Sequence, residues 1–118
     1  MKLVRKLALM ALIGWMGSAM AADVGVTDSS VTLGMSSPFS GPNGAYGQDM
    51  KNVITAYFDQ INKAGGVNGR KIDLVALDDG YETDRTVANS KKLIDESKVF
   101  ALLQYYGSSP TTQAMNDV

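Results

Sequence analysis

Two stretches hold most of the small polar and aromatic groups with which this chain could grip a ligand. One reads Ser36-Ser37-Pro38-Phe39-Ser40-Gly41-Pro42-Asn43-Gly44-Ala45-Tyr46-Gly47, the other Gln104-Tyr105-Tyr106-Gly107-Ser108-Ser109-Pro110. In the second, Gly107 lets backbone approach a ligand closely. Ser108 and Ser109 add hydroxyls, and Ser109-Pro110 reads as the cap and first position of a helix. The N–H groups that open such a helix are unpaired and favour an anion, a carboxylate or a phosphate. No cationic side chain lies in the stretch, so a neutral zwitterion suits it at least as well as a highly charged anion. Tyr106, with Tyr46 from the first stretch, offers aromatic faces beside those polar groups, the usual make-up of a small-molecule site. Tyr105 alternates with Tyr106 and reads as core, and Ser109 could equally serve only as a helix cap.

Other chemistries find less support. Gly41, Gly44 and Gly47 are spaced G-x-x-G-x-x-G, which is neither the dinucleotide fingerprint nor a phosphate loop. Asp78, Asp79, Glu82 and Asp84 lack the spacing of a calcium loop and read as a solvated turn, with Thr83 or Asp84 capping the next helix. The chain has no His and no Cys. The commonest general base is therefore missing, as are disulfides, thiol catalysis and thiolate metal sites. No cofactor is implied.

The elements that position the two stretches follow from periodicity. Val31–Met35 alternates as a strand. Met50, Val53, Ile54, Tyr57, Phe58 and Ile61 form an apolar helical stripe over residues 48–64, expected to be core. Gly65-Gly66 ends that helix and Asn68-Gly69 makes a tight turn. Lys71–Leu77 is a strand apolar on both faces, as in a buried parallel sheet. A helix over residues 85–96 should turn Val87, Ala88, Leu93 and Ile94 inward, and Val99–Leu103 is a third strand. The order β-α-β-α-β-α implies an α/β fold with a parallel sheet and right-handed crossovers. With strand order 2-1-3, the switch point lies between strands one and three, and ligands bind there at the carboxyl ends. The two stretches then face one crevice, and the Asp78–Asp84 loop matters less.

The start of the chain is of another kind. Lys2, Arg5 and Lys6 precede an apolar run from Leu7 to about Met16 and the small residues Ala19-Met20-Ala21. This reads as a secretory signal peptide over residues 1–21, cut after about Ala21. The run is shorter than the roughly 20 residues a membrane span needs. Without Cys the mature chain is not a lipoprotein, so it should be free in the periplasm. Residues 22–118 open with a flexible lead-in, Ala22 to Ser30. Cleavage removes three of the 11 basic residues and none of the 12 acidic ones, leaving a formal charge of −4. That balance argues against nucleic-acid binding, which needs a cationic face. The last residues open a helix without a stop signal, as expected of the N-terminal piece of a longer protein.

Several stretches together carry a family resemblance. They are Pro38-Phe39-Ser40-Gly41 with Tyr46-Gly47, the run Ile61-Asn62-Lys63-Ala64-Gly65-Gly66-Val67-Asn68-Gly69-Arg70-Lys71-Ile72, Asp78-Asp79, Arg85-Thr86-Val87-Ala88-Asn89, Val99-Phe100-Ala101-Leu102, and Gly107-Ser108-Ser109-Pro110-Thr111. The chain resembles the N-terminal lobe of type 1 periplasmic solute-binding proteins, the branched-chain amino-acid group of ABC-transporter receptors. The resemblance implies two Rossmann-like lobes closing on one ligand, of which residues 22–118 are part of lobe 1. It implies a non-enzymatic binding component, a monomer when full length, that delivers an amino acid or similar small carboxylate to an inner-membrane ABC permease. A secreted sensing domain of the same fold is the alternative. It places the carboxylate grip on Gly107, Ser108 and Ser109, without choosing between the serines, and pocket walls on Tyr106 and Tyr46. The bulk of Tyr105-Tyr106 argues against a large aliphatic ligand.

Overall fold

The computed structural model describes residues 23–118; the signal peptide expected over residues 1–21 lies outside the described residues. The elements are β1 (Ser30–Ser37), α1 (Gly44–Lys63), β2 (Lys71–Asp78), α2 (Thr83–Lys91), a π-helical turn (Lys92–Glu96), β3 (Ala101–Leu102) and α3 (Ser108–Asp117). The three strands form a parallel sheet in the order β2-β1-β3, the order expected when the first two crossovers run in opposite directions. β1 and β2 pair along their whole length, from Ser30 opposite Lys71 to Ser37 opposite Asp78. α1 packs against β2, while α2 packs against β1 and α3. The core gathers on the α2 side, where Met35 and Leu93 are fully buried and Val99 and Ala114 nearly so.

β1 is longer than its apolar pattern suggests. It runs through Ser36 and Ser37, which look like loop but are almost wholly buried. Their hydroxyls are satisfied inside: Ser36 donates to Asp79 Oδ2 (2.8 Å) and Ser37 to the Gln104 carbonyl (2.9 Å). β3 is shorter than expected, because Lys98 and Gln104 take positive φ (51° and 52°) on either side of it. Its pairing with β1 still reaches from Phe100 N–H on the Thr32 carbonyl (2.7 Å) to Leu103 N–H on the Gly34 carbonyl (2.8 Å). The lead-in is not a loose tail from Asp23 onward. Thr32 N–H donates to the Gly25 carbonyl (2.8 Å), and Gly25 lies against the Val99–Phe100 backbone, where a Cβ would clash.

α1 begins four residues earlier than the apolar stripe indicates, so Tyr46 sits in its first turn and not in a loop. Gly44 and Gly47 make this possible. A Cβ on Gly47 would lie 1.8 Å from the Pro38 carbonyl oxygen. The helix ends in a Schellman arrangement, with Gly66 N–H on the Ile61 carbonyl (2.9 Å) and Gly65 N–H on the Asn62 carbonyl (3.2 Å). Asn62 then ties helix to strand, accepting from Ile72 N–H (2.7 Å) and donating to the Ile72 carbonyl (2.9 Å). Asn68 and Gly69 both take positive φ in the turn that follows (51° and 79°).

The stripe of α1 is not core as expected. Val53 and Tyr57 are 67 % and 61 % exposed, and Met50, Ile54, Phe58 and Ile61 are only part-buried. Helical period shows which face is apolar; here a three-stranded sheet covers only the part that lies on β2. The inner face of α2 also differs. Thr86, Ser90 and Leu93 are buried, while Ala88 and Ile94 are exposed and Val87 is intermediate. Thr86 and Ser90 can be buried because each hydroxyl donates to the carbonyl one turn back, at 3.1 and 2.7 Å. Neither Thr83 nor Asp84 caps α2, since both lie inside it; the N-cap is Glu82, with no side-chain bond.

Gly47→Ala should force the Pro38 backbone away from α1. The expected loss is about 2 kcal/mol or more, read as a lowered urea midpoint with unchanged slope.

Candidate functional site

Three loops leave the carboxyl end of the sheet, and the buried ends of β1 and β2 fix them to one another. Asp78, the last residue of β2, accepts on Oδ1 from the backbone N–H of Phe39 (2.7 Å) and Gly80 (3.0 Å). Its Oδ2 accepts from Ser40 Oγ (2.6 Å) and from Arg85 Nη2 (3.3 Å). One carboxylate thus staples the loop after β1 to the loop after β2. Partial burial alone would raise this carboxyl. The bonds from Ser40, Phe39 and Gly80, with the Arg85 guanidinium, outweigh that and hold its pKa at about 2, below the usual 3.8. Phe39 is pinned further by Lys51, whose Nζ lies 4.8 Å from its ring centroid.

Asp79 is fully buried. Its Oδ2 accepts from Ser36 Oγ (2.8 Å), which also accepts from Asn89 Nδ2 (3.2 Å). Its Oδ1 accepts from the Tyr81 N–H (2.9 Å). That bond closes an Asx turn and helps hold Tyr81 in the left-handed region, φ 68°.

The residues expected to grip a ligand are brought together only in part. Tyr46, from the first turn of α1, stacks on Tyr106 with centroids 5.1 Å apart and 29° between the planes. Tyr81 leans on the same Tyr106 ring at 5.6 Å and 55°. Gly107 has φ 99°, and a Cβ there would come within 2.7 Å of the Tyr81 ring. Ser108 and Ser109 lie in the first turn of α3 and line an open hollow with Thr83, Thr112 and Gln113. The N-cap of α3 is Gly107, not Ser109, and Pro110 is the third helical residue, not the first. No side-chain hydrogen bond caps the helix. The hydroxyls of Ser108 and Ser109 are therefore not spent on capping, and both residues are exposed at a turn whose first N–H groups have no intrahelical partner.

Tyr105 behaves as core, as its alternation with Tyr106 suggests. It is part-buried, and its hydroxyl shares a 2.7 Å bond with Ser90 Oγ. Burial raises its phenol pKa; the Ser90 bond opposes this and the Asp79 charge adds to it. The Asp78–Asp84 loop, in contrast, matters more than expected, because it supplies Tyr81 and Thr83 as well as the staple. Sequence reasoning missed Tyr81. The available signal was its place one residue past Gly80, in a loop leaving the same end of the sheet. Among the described residues no cluster of three or more His, Cys, Asp or Glu could hold a metal, and no helix is long and apolar enough to cross a membrane.

The sequence and the fold of this chain are matched by known proteins. A family model described as periplasmic binding protein matches residues 30–118. An amino acid binding protein of Pseudomonas aeruginosa is 35 % identical over 86 residues, 73 % of this chain and 23 % of that protein. A leucine-, isoleucine-, valine-, threonine- and alanine-binding protein of the same organism is 32 % identical over 117 residues, 99 % of this chain and 29 % of that one. Among solved structures, the branched-chain amino acid transporter substrate binding protein of Streptococcus pneumoniae, in complex with isoleucine, aligns with a TM-score of 0.71. It is 29 % identical, with 75 % of this chain and 26 % of that chain covered. The chain spans about a quarter of the length of the curated relatives it matches.

The Asp78 staple makes a pH prediction. Its carboxyl is depressed in the folded state, so its contribution is present above pH 3.8 and lost as pH falls toward about 2. Over that window the melting temperature of the unaltered protein should fall further than that of Asp78→Asn, and equal slopes would show that the staple adds nothing.

Proposed function

The chain belongs to the periplasmic binding protein family, and from that premise we propose that it is the opening part of a solute receptor for an ABC transporter. Its ligand is an amino acid or a similar small carboxylate, held without chemical change and passed to an inner-membrane permease. The family places the protein outside the cytoplasmic membrane. Residues 1–21 are a signal peptide cut after about Ala21, and the mature protein is a free periplasmic monomer, not a lipoprotein.

The observation that carries this reading is the start of α3. Ser108 and Ser109 present exposed hydroxyls at a helix N-terminus that no side chain caps. They follow directly on Tyr106 and Gly107, at the switch point where open parallel sheets bind ligands. Such a turn holds a carboxylate through N–H and O–H donors without a cationic side chain. The zwitterion's amino end is met by groups outside residues 22–118.

Residues 22–118 form part of lobe 1 only. Leu102, Ile94, Met115 and Val118 border an open, largely apolar hollow of about 530 Å³ between β3 and α3. Phe100 on the β3 side is also exposed. Surface of this kind is covered in a finished α/β lobe. A sensing domain of the same fold, feeding a signalling partner, is the second reading, since the site would be the same.

Two measurements test the proposal on the full-length protein. A panel of amino acids should contain at least one that raises the melting temperature; no shift across the panel would refute amino-acid binding. The double substitution Ser108→Ala with Ser109→Ala should weaken that ligand by about tenfold or more, the loss of charge-assisted hydrogen bonds. Unchanged affinity would take the carboxylate away from this turn.

A further inference from the structure

We infer that the ligand carries a flat ring, as an aromatic amino acid or a ring carboxylate does, and that the Tyr46–Tyr106 stack selects it. The inference rests on the carboxylate-binding reading above and names the chemistry at the ligand's other end.

Three tyrosines converge at the carboxyl end of the sheet: Tyr46 from the first turn of α1, Tyr81 from the loop after β2 and Tyr106 from the loop after β3. Tyr46 and Tyr106 are near-parallel at 5.1 Å, and Tyr81 meets Tyr106 at 5.6 Å with its plane tilted by 55°. Core packing does not explain them, because Tyr46 is 61 % and Tyr81 41 % exposed. Large aromatic rings gathered at a binding crevice and left open to solvent are surface waiting for a partner. A stacked pair with an open face is extended most favourably by another ring, offset or tilted, with centroids about 4.5–7 Å apart. An aliphatic side chain can cover the same area but gains nothing from the ring quadrupoles.

The spacing also decides against a cage for a cationic group. A cage needs rings arranged around a hollow, with the cation within about 6 Å of each centroid. Here Tyr106 lies against both other rings, so no hollow for a cation is left between it and either of them. The polar end is in reach, because Gly107 and the first turn of α3 follow Tyr106 directly. Gly107, which lies against the Tyr81 ring, leads from the stack into that turn. Backbone support fixes the platform: Asp79 holds the Tyr81 turn, and Gly107 leaves room for the Tyr81 ring.

Isothermal titration calorimetry on the full-length protein tests this with L-phenylalanine, phenylacetate and 4-hydroxybenzoate against L-leucine and L-valine. At least one ring compound should bind about threefold to tenfold more tightly than either aliphatic amino acid. Tyr46→Leu, at an exposed helical position, and Tyr106→Leu should each remove that preference, while Tyr106→Phe should keep it. Tighter or equal binding of L-leucine or L-valine would overturn the ring assignment and leave amino-acid binding intact. A ring preference that survives both leucine substitutions would overturn the role of the stack. Binding of none of the five, with another amino acid of the wider panel bound, would overturn the ring inference alone.

Discussion

Two adjacent carboxylates at the end of β2 hold the loops at the carboxyl end of the sheet in place. Asp78 gathers donors from the loop after β1 and from the start of α2, and Asp79 reaches under β1 to Ser36 and forward to Tyr81. Both work through hydrogen bonds more than through charge pairs. Among the described residues the one ion pair is Arg85 with Asp78, at 3.3 Å with the guanidinium half exposed, and such pairs contribute little. Donors from backbone N–H groups and short hydroxyls cannot swing away as a long cationic side chain can. The loops therefore stand at fixed separations, and the aromatic rings they carry meet at stacking distance.

β1 is the common partner in this arrangement. It is the central strand, and its last two residues face opposite ways, Ser36 to the β2 loop and Ser37 to the Gln104 carbonyl of the β3 loop. A larger side chain at either position would push a loop off the sheet. Apolar side chains would leave Asp79 without its hydroxyl donor and the Gln104 carbonyl without a partner, and an unmade bond in a buried place costs about 1–3 kcal/mol. The polar end of an otherwise apolar strand is thus a structural necessity created by the loops beside it.

Much of this was legible in the sequence. The alternation of elements leads to a parallel sheet and the usual reversal of crossovers to its strand order, and Gly65-Gly66 and Asn68-Gly69 state their turns through their preference for left-handed backbone. That Tyr46 and Tyr106 lie at the same end of the sheet follows from placing two stretches at one switch point, but their stacking on each other does not. What could not be read depends on contacts far apart in sequence. Ser36 and Ser37 look like loop because their partners lie 43 and 67 residues on. Tyr81 has no pattern to mark it, since its placement comes from the Asp79 turn and from the missing side chain at Gly107. The stripe from Met50 to Ile61 announces an apolar face, but periodicity carries no information about how much of that face a neighbour covers.

The strand order has a consequence for the time course of folding. β1, α1 and β2 are consecutive and pair as neighbours, so this half closes short loops and can form early. β3 must reach past β2 to the other side of β1, and contacts of long sequence separation form slowly because more chain entropy is lost first. The rings and the helix start that edge the crevice are divided between these halves, with Tyr46 and Tyr81 on early or intermediate segments and Tyr106 on the last. The crevice is therefore completed only when the final strand docks. Until then the protein has a two-stranded sheet without its ring cluster, and Tyr106 meets Tyr46 and Tyr81 only on the finished sheet.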